Sequence, residues 1–73
     1  MNIGGKIKEA RELINITQAE LARKAGMKEA RLALYEQSVS MPSVGSLSRI
    51  ADSLNKPIEY FFENKGQQRI SEF

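Results

Sequence analysis

The sequence predicts an all-α fold of five short helices, and three observations carry that prediction. Apolar residues recur at helical spacing in successive segments, from Ile3-Ile7-Ala10-Ile14 to Leu47-Ile50-Ala51-Leu54. The run Ile16-Thr17-Gln18-Ala19-Glu20-Leu21-Ala22-Arg23-Lys24-Ala25-Gly26 contains the signals for both ends of a helix. No segment alternates apolar and polar residues as a half-buried strand would, and none repeats or simplifies in composition.

The first helix is placed at about Ile3 to Leu13, where Lys6, Lys8, Glu9, Arg11 and Glu12 separate the apolar positions Ile3, Ile7, Ala10 and Ile14. The second runs from Thr17 to Ala25. Thr17 can accept the backbone N–H of Glu20 while the Glu20 carboxylate accepts that of Thr17, which is a capping box. Ile16 before the cap and Leu21 are spaced as a hydrophobic staple, and Gly26 stops the helix because glycine adopts the left-handed conformation without steric penalty. The third helix spans about Lys28 to Gln37, with Met27 and Leu32 spaced for a second staple and Leu32 and Tyr35 facing inward. Two short helices joined by so few residues have a helix-turn-helix layout.

Ser38 to Val44 reads as a loop. Ser43 is positioned to cap a fourth helix whose buried stripe is Leu47, Ile50, Ala51 and Leu54, and Asn55 is its left-handed stop. Pro57 suits the first turn of a fifth helix, in which Ile58, Phe61 and Phe62 close the core. Tyr60, Phe61 and Phe62 read as core and dimer packing rather than as base-stacking residues. Gly45 is assigned no function. The reading divides the chain into residues 1–62, a helix-turn-helix domain, and 63–73, a C-terminal tail without clear period.

Composition excludes several chemistries. Of 73 residues none is Cys or His, which removes disulfides, thiolate metal sites and the commonest zinc ligand and general base. Carboxylates such as Glu29, Glu36 and Glu59 are not paired with a nucleophile or base. No catalytic residue, metal site or cofactor is therefore expected, and the chain is not read as an enzyme. There is no apolar run of membrane-spanning length and no hydrophobic signal core after Met1, so a cytoplasmic protein is expected. The net charge is only +2, but the basic surplus lies between Met1 and Arg49, a distribution that suits a polyanionic partner.

Several of these residues together resemble the lambda repressor and Cro (XRE) family of helix-turn-helix DNA-binding domains. The match covers about Ile3 to Phe62. It comprises Lys6-Ile7 and Arg11-Glu12, Thr17-Gln18-Ala19-Glu20-Leu21-Ala22 with Gly26, Leu32, Tyr35 and Glu36, Pro42-Ser43, and Leu47 with Ile50-Ala51 and Leu54. The resemblance implies a five-helix domain whose second helix crosses a DNA backbone while the third enters the major groove. It further implies that Gln18 touches a phosphate and that Arg11 and Glu36 form a structural ion pair. A homodimer on a palindromic operator, acting as a repressor, is the expected working form.

The third helix departs from what that role leads one to expect. With Leu32 and Tyr35 inward, its outer side presents Ala30, Ala33, Leu34 and Gln37, so only Gln37 can hydrogen-bond. The apolar members can meet thymine methyl groups, Glu29 can accept from cytosine N4, and Lys28 and Arg31 can reach guanine or phosphate. The alternative is a protein-interaction module on the same scaffold, with Ala30, Ala33 and Leu34 as a patch for a protein partner. Lys28 stands where relatives carry a Ser or Thr cap, and Ser38 where they often carry Gly. The loop from Ser38 to Val44 has no charge.

Overall fold

The computed structural model describes residues 2–62, so the expected tail at 63–73 lies outside the described residues. Four α-helices and one 3₁₀ helix follow in order: α1 Ile3–Leu13, α2 Gln18–Ala25, α3 Glu29–Glu36, α4 Val44–Ser53 and the 3₁₀ helix Ile58–Phe62. No strand occurs among the described residues.

Each α-helix begins where a side chain can satisfy its first free N–H groups, with one exception. Asn2 Oδ1 accepts the Gly5 N–H at 2.8 Å to open α1. Thr17 and Glu20 form the complete capping box of α2, with Glu20 N–H to Thr17 Oγ1 at 3.1 Å and Thr17 N–H to Glu20 Oε1 at 2.8 Å. Ser43 Oγ accepts the Ser46 N–H at 3.2 Å to open α4. In α3 the cap residue is Lys28, which makes no such bond.

The α-helices all end in the same way. Asn15, Gly26, Ser38 and Asn55 adopt positive φ of 62°, 71°, 63° and 59°. At every end the left-handed residue's N–H bonds three residues back, and the next N–H bonds five residues back, as Ile16 to Arg11, Met27 to Ala22, Val39 to Leu34 and Lys56 to Ala51. These are Schellman endings, and they reverse the chain within two residues. Gly26 and Asn55 were legible as stops, whereas Asn15 and Ser38 were not.

The expected boundaries need small corrections. Thr17, Lys28 and Gln37 are caps rather than helical residues, and Val44 is the first residue of α4 rather than loop. The fifth element is a 3₁₀ helix, not an α-helix. Pro57 stands just before it, its carbonyl accepting the Tyr60 N–H at 3.0 Å. Five residues cannot support enough i→i−4 bonds to favour the α form.

The core is built from Ile3, Ile7, Ala10, Leu21, Ala22, Ala25, Leu32, Tyr35, Leu47, Ile50, Ala51, Leu54 and Phe61, with Ile16 and Met27 packed against it from their positions before the caps. Two residues expected in the core are outside it: Ile14 is 47% exposed and Phe62 44%. Ile14 falls on the C-cap of α1, where Asn15 turns the chain away, and Phe62 follows Phe61 on a short helix that can bury only one of the two.

Within the core α2 packs mainly on α4, while α1 packs on α3. The second contact depends on Gly4. A Cβ there would collide with the Tyr35 carbonyl oxygen and lie 3.1 Å from that of Glu36, so only glycine lets α1 approach the end of α3 so closely.

Candidate nucleic-acid interface

The site is organised by one carboxylate. Glu36, near the C-terminus of α3, has a side chain only 2% exposed. Its Oε2 accepts Arg11 Nε at 2.8 Å, and its Oε1 accepts Arg11 Nη2 at 3.1 Å and Gln18 Nε2 at 3.0 Å. The third arm of the same guanidinium, Arg11 Nη1, donates to the Ile16 carbonyl at 2.9 Å. The Arg11 pKa is raised above its ordinary value, chiefly by the hydrogen bonds to Glu36. No buried side-chain nitrogen or oxygen lacks a partner among the described residues.

This network joins α1, the turn after it, the start of α2 and the end of α3 through a single buried group. A bidentate guanidinium–carboxylate pair fixes orientation as well as distance. The rotation of α3 against α2 is thereby set by Glu36, while Leu32 and Tyr35 anchor the same helix in the core.

The outer side of α3 is left free. Lys28, Glu29, Ala30, Arg31 and Gln37 are exposed, Leu34 is 41% exposed, and Ala33 is half-buried. Seven of the eight expected contact residues therefore lie on this helix and its caps, with Ala33 recessed relative to the others. The eighth, Gln18, is half-buried at the first position of α2. Sequence reasoning assigned Gln18 to a phosphate but missed its bond to Glu36, which occupies one amide hydrogen and leaves the other available. The spacing that places Gln18 beside Glu36 crosses a helix-helix boundary and leaves no mark on either helix's own pattern.

Charge around the face is modest. Lys28 and Arg31 are the basic side chains of α3 and its cap, and Glu29 is the acidic one in its first turn, where it complements the helix dipole. The turn into α4 adds no charge: Val39 and Met41 are 67% and 71% exposed, and Val44 is 72% exposed.

Two helices crossing through a three-residue turn, the second braced from beneath and open on its outer side, define a helix-turn-helix module of the lambda repressor type. The chain belongs to the helix-turn-helix family, whose model matches residues 7–61. It is 36% identical over 61 residues to an uncharacterized HTH-type transcriptional regulator of Rickettsia conorii, covering 84% of this chain and 49% of that protein. It is 30% identical over 63 residues to an uncharacterized transcriptional regulator in the ATPase CF(0) region of Rhodospirillum rubrum, covering 86% of this chain and 58% of that protein. The chain thus spans about half the length of these curated relatives.

Among solved structures, the DNA-binding domain of the P22 C2 repressor superposes with a TM-score of 0.84 at 22% identity, covering 89% of this chain and 86% of that one. The P22 c2 repressor in complex with a synthetic operator superposes with a TM-score of 0.78 at 23% identity, covering 84% and 92%. At such identities the likeness establishes the fold. Family and fold are those of a helix-turn-helix domain, and the curated relatives are named as transcriptional regulators.

Proposed function

We propose that this protein is a sequence-specific double-stranded DNA-binding transcriptional regulator, with α3 entering the major groove and α2 lying across the backbone. The observation that carries this reading is the buried Arg11–Glu36–Gln18 network, which fixes α3 from beneath while leaving its outer face open. Lys28, Glu29, Ala30, Arg31, Ala33, Leu34 and Gln37 are the proposed reading surface, and Gln18 a phosphate contact through its free amide hydrogen.

A single helix of eight residues reaches few base pairs. Two copies related by a two-fold axis would read half-sites about 34 Å apart, making the operator a palindrome and the working form a homodimer. A repressor acting in the cytoplasm is the role proposed, by analogy with the repressor domain that shares the fold. Among the described residues no helix is long and apolar enough to cross a membrane. The proposed dimer surface comprises the fifth helix, Ile58–Phe62, and the tail, including Ile70 and Phe73, which lie outside the described residues.

Selection from a pool of random duplexes at about 50 mM salt tests the reading. A palindromic consensus is the expected result, and failure to retard any duplex would overturn it. A second reading, a protein-interaction module, is favoured by the apolar exposure of Leu34, Val39, Met41 and Val44. Substituting Leu34→Glu separates the two: loss of DNA retention supports the first, and loss of a protein partner with DNA retention intact supports the second.

A further inference from the structure

We propose that the cavity between the start of α1 and the connection from α3 to α4 is a binding site for a small uncharged molecule that combines an aromatic ring with a hydroxyl group. The cavity holds about 210 Å³. Its floor is made by Ile3, Gly4, Tyr35 and Pro42, all buried, and its rim by Ser38, Val39, Ser40 and Met41, all exposed. The rim is held in place by the end of α3. Ser38 N–H donates to the Tyr35 carbonyl at 3.1 Å, and the N–H groups of Val39 and Ser40 donate to the Leu34 carbonyl at 3.0 and 3.3 Å. Sites for small molecules are largely formed before the ligand arrives, and this rim has that property.

The observation that points to a ligand is the Tyr35 hydroxyl. Tyr35 is 4% exposed, yet its hydroxyl has no hydrogen-bond partner among the described residues. It is not sealed in the core either, because no fully buried side-chain oxygen there lacks a partner. The little surface that Tyr35 keeps therefore includes its polar atom, and the cavity is open space that Tyr35 borders. A hydroxyl can both donate and accept, and a tyrosine that serves the core alone gains nothing from one left unpaired.

The lining defines the class of ligand. None of its residues is charged, and the sequence carries no charge from Gln37 to Ser48, so an ionic ligand would give up its water without a counter-charge in exchange. Ile3, Val39, Met41 and Pro42 supply apolar contact, and a methionine thioether beside a tyrosine ring favours an aromatic body. The hydroxyls of Tyr35, Ser38 and Ser40 are the groups that can orient a polar substituent. Size agrees with this chemistry: an apolar cavity of about 150 Å³ accepts benzene, so about 210 Å³ leaves room for one ring and its hydroxyl. The site lies apart from the outer face of α3 and does not depend on what that face binds.

The experiment titrates the full chain with phenol, benzene and benzoate at neutral pH and follows the backbone amides by NMR. Phenol is expected to saturate with a Kd on the order of 1 mM, the range open to a one-ring ligand, and to move the amides of Val39, Ser40 and Met41 most. Benzene should bind about three- to tenfold more weakly, the equivalent of one hydrogen bond, and benzoate should not bind. In Tyr35→Phe, phenol should fall to the affinity of benzene while benzene is unchanged. Met41→Ala, at an exposed position that spares the core, should weaken phenol and benzene alike. Absence of saturable phenol shifts at the rim, benzoate binding as tight as phenol, or a folded Tyr35→Phe protein that keeps full affinity for phenol would overturn the proposal. If Tyr35→Phe does not fold, the unsubstituted protein decides, since equal affinities for phenol and benzene overturn the role of the hydroxyl.

Discussion

At the scale of single residues, Glu36 is the group on which the proposed interface most depends. It is a nearly buried charge held by Arg11 and Gln18, so removing one partner leaves the other in a low-dielectric site without compensation. Arg11→Ala is expected to destabilise the fold by about 3 kcal/mol in urea unfolding, a large part of what a domain of this size possesses. Gln18→Ala removes a single hydrogen bond and should lose about 1 kcal/mol. Equal losses for the two substitutions would show that the guanidinium does not anchor the network. Glycines provide an independent check on packing. Gly4→Ala replaces a poor helix former by a good one, yet the Cβ would strike the Tyr35 carbonyl, so a loss of about 1–3 kcal/mol is expected. Gly45, in the first turn of α4, has open space around it, and Gly45→Ala should be neutral or stabilise by up to about 1 kcal/mol. If Gly4→Ala raised the unfolding midpoint as Gly45→Ala is expected to, the close approach of α1 to α3 would be refuted.

Among the elements, α3 and α2 are built to different standards. The helix proposed to meet DNA lacks the side-chain cap that α1, α2 and α4 possess, and it carries a cation where the helix dipole favours an anion. Breaking a local rule at the surface that performs the function is the expected pattern when a residue serves a ligand rather than its own helix. Lys28→Asp should therefore raise thermal stability, by about 1 kcal/mol from the added cap, and lower affinity for DNA by placing a negative charge against phosphate. A variant that gained both stability and affinity would contradict the role given to Lys28. In α2 the Glu20 carboxyl is held below the usual carboxylate range, first because it accepts the Thr17 N–H. A carboxylate whose folded pKa is depressed stabilises the folded form at neutral pH and loses that contribution as pH falls through the folded value. An NMR titration should find the Glu20 midpoint below the ordinary range of an exposed glutamate, with the capping of α2 fading over the same acidic interval. A midpoint within that ordinary range would mean that the box does not persist in solution.

For the whole molecule, charge placement predicts how binding responds to salt. The net charge is +2, α3 and its cap contribute two cations, and the loop from Ser38 to Ser43 contributes none. Each phosphate neutralised by Lys or Arg adds about −0.9 to the slope of log K against log salt. A slope no steeper than about −3 per protomer is expected from a salt titration of the selected duplex, with specificity drawn mainly from contact shape. A much steeper slope would require basic groups beyond those on α3 to reach the backbone. Measured across protein concentrations, the same titration also reports whether two copies bind together on a palindrome, as the short reach of α3 leads one to expect.

Much of this architecture was determined by local chemistry and could be read in order along the chain. The capping box at Thr17 and Glu20, the stop at Gly26, the start at Ser43 and the turn at Asn55 involve residues no more than three or four apart, and all occur as the side chains dictate. The apolar stripes of α1, α3 and α4 were legible for the same reason, except at helix ends, where Ile14 and Phe62 turn outward. Tertiary structure alone decided what bridges distant positions. That Gln18 shares Glu36 with Arg11 and that Gly4 is required by a carbonyl on another helix rest on how the helices cross. Periodicity reports which side of a helix is apolar; which polar groups meet across two helices is set by their mutual angle and depth, and these exist only once the core has packed.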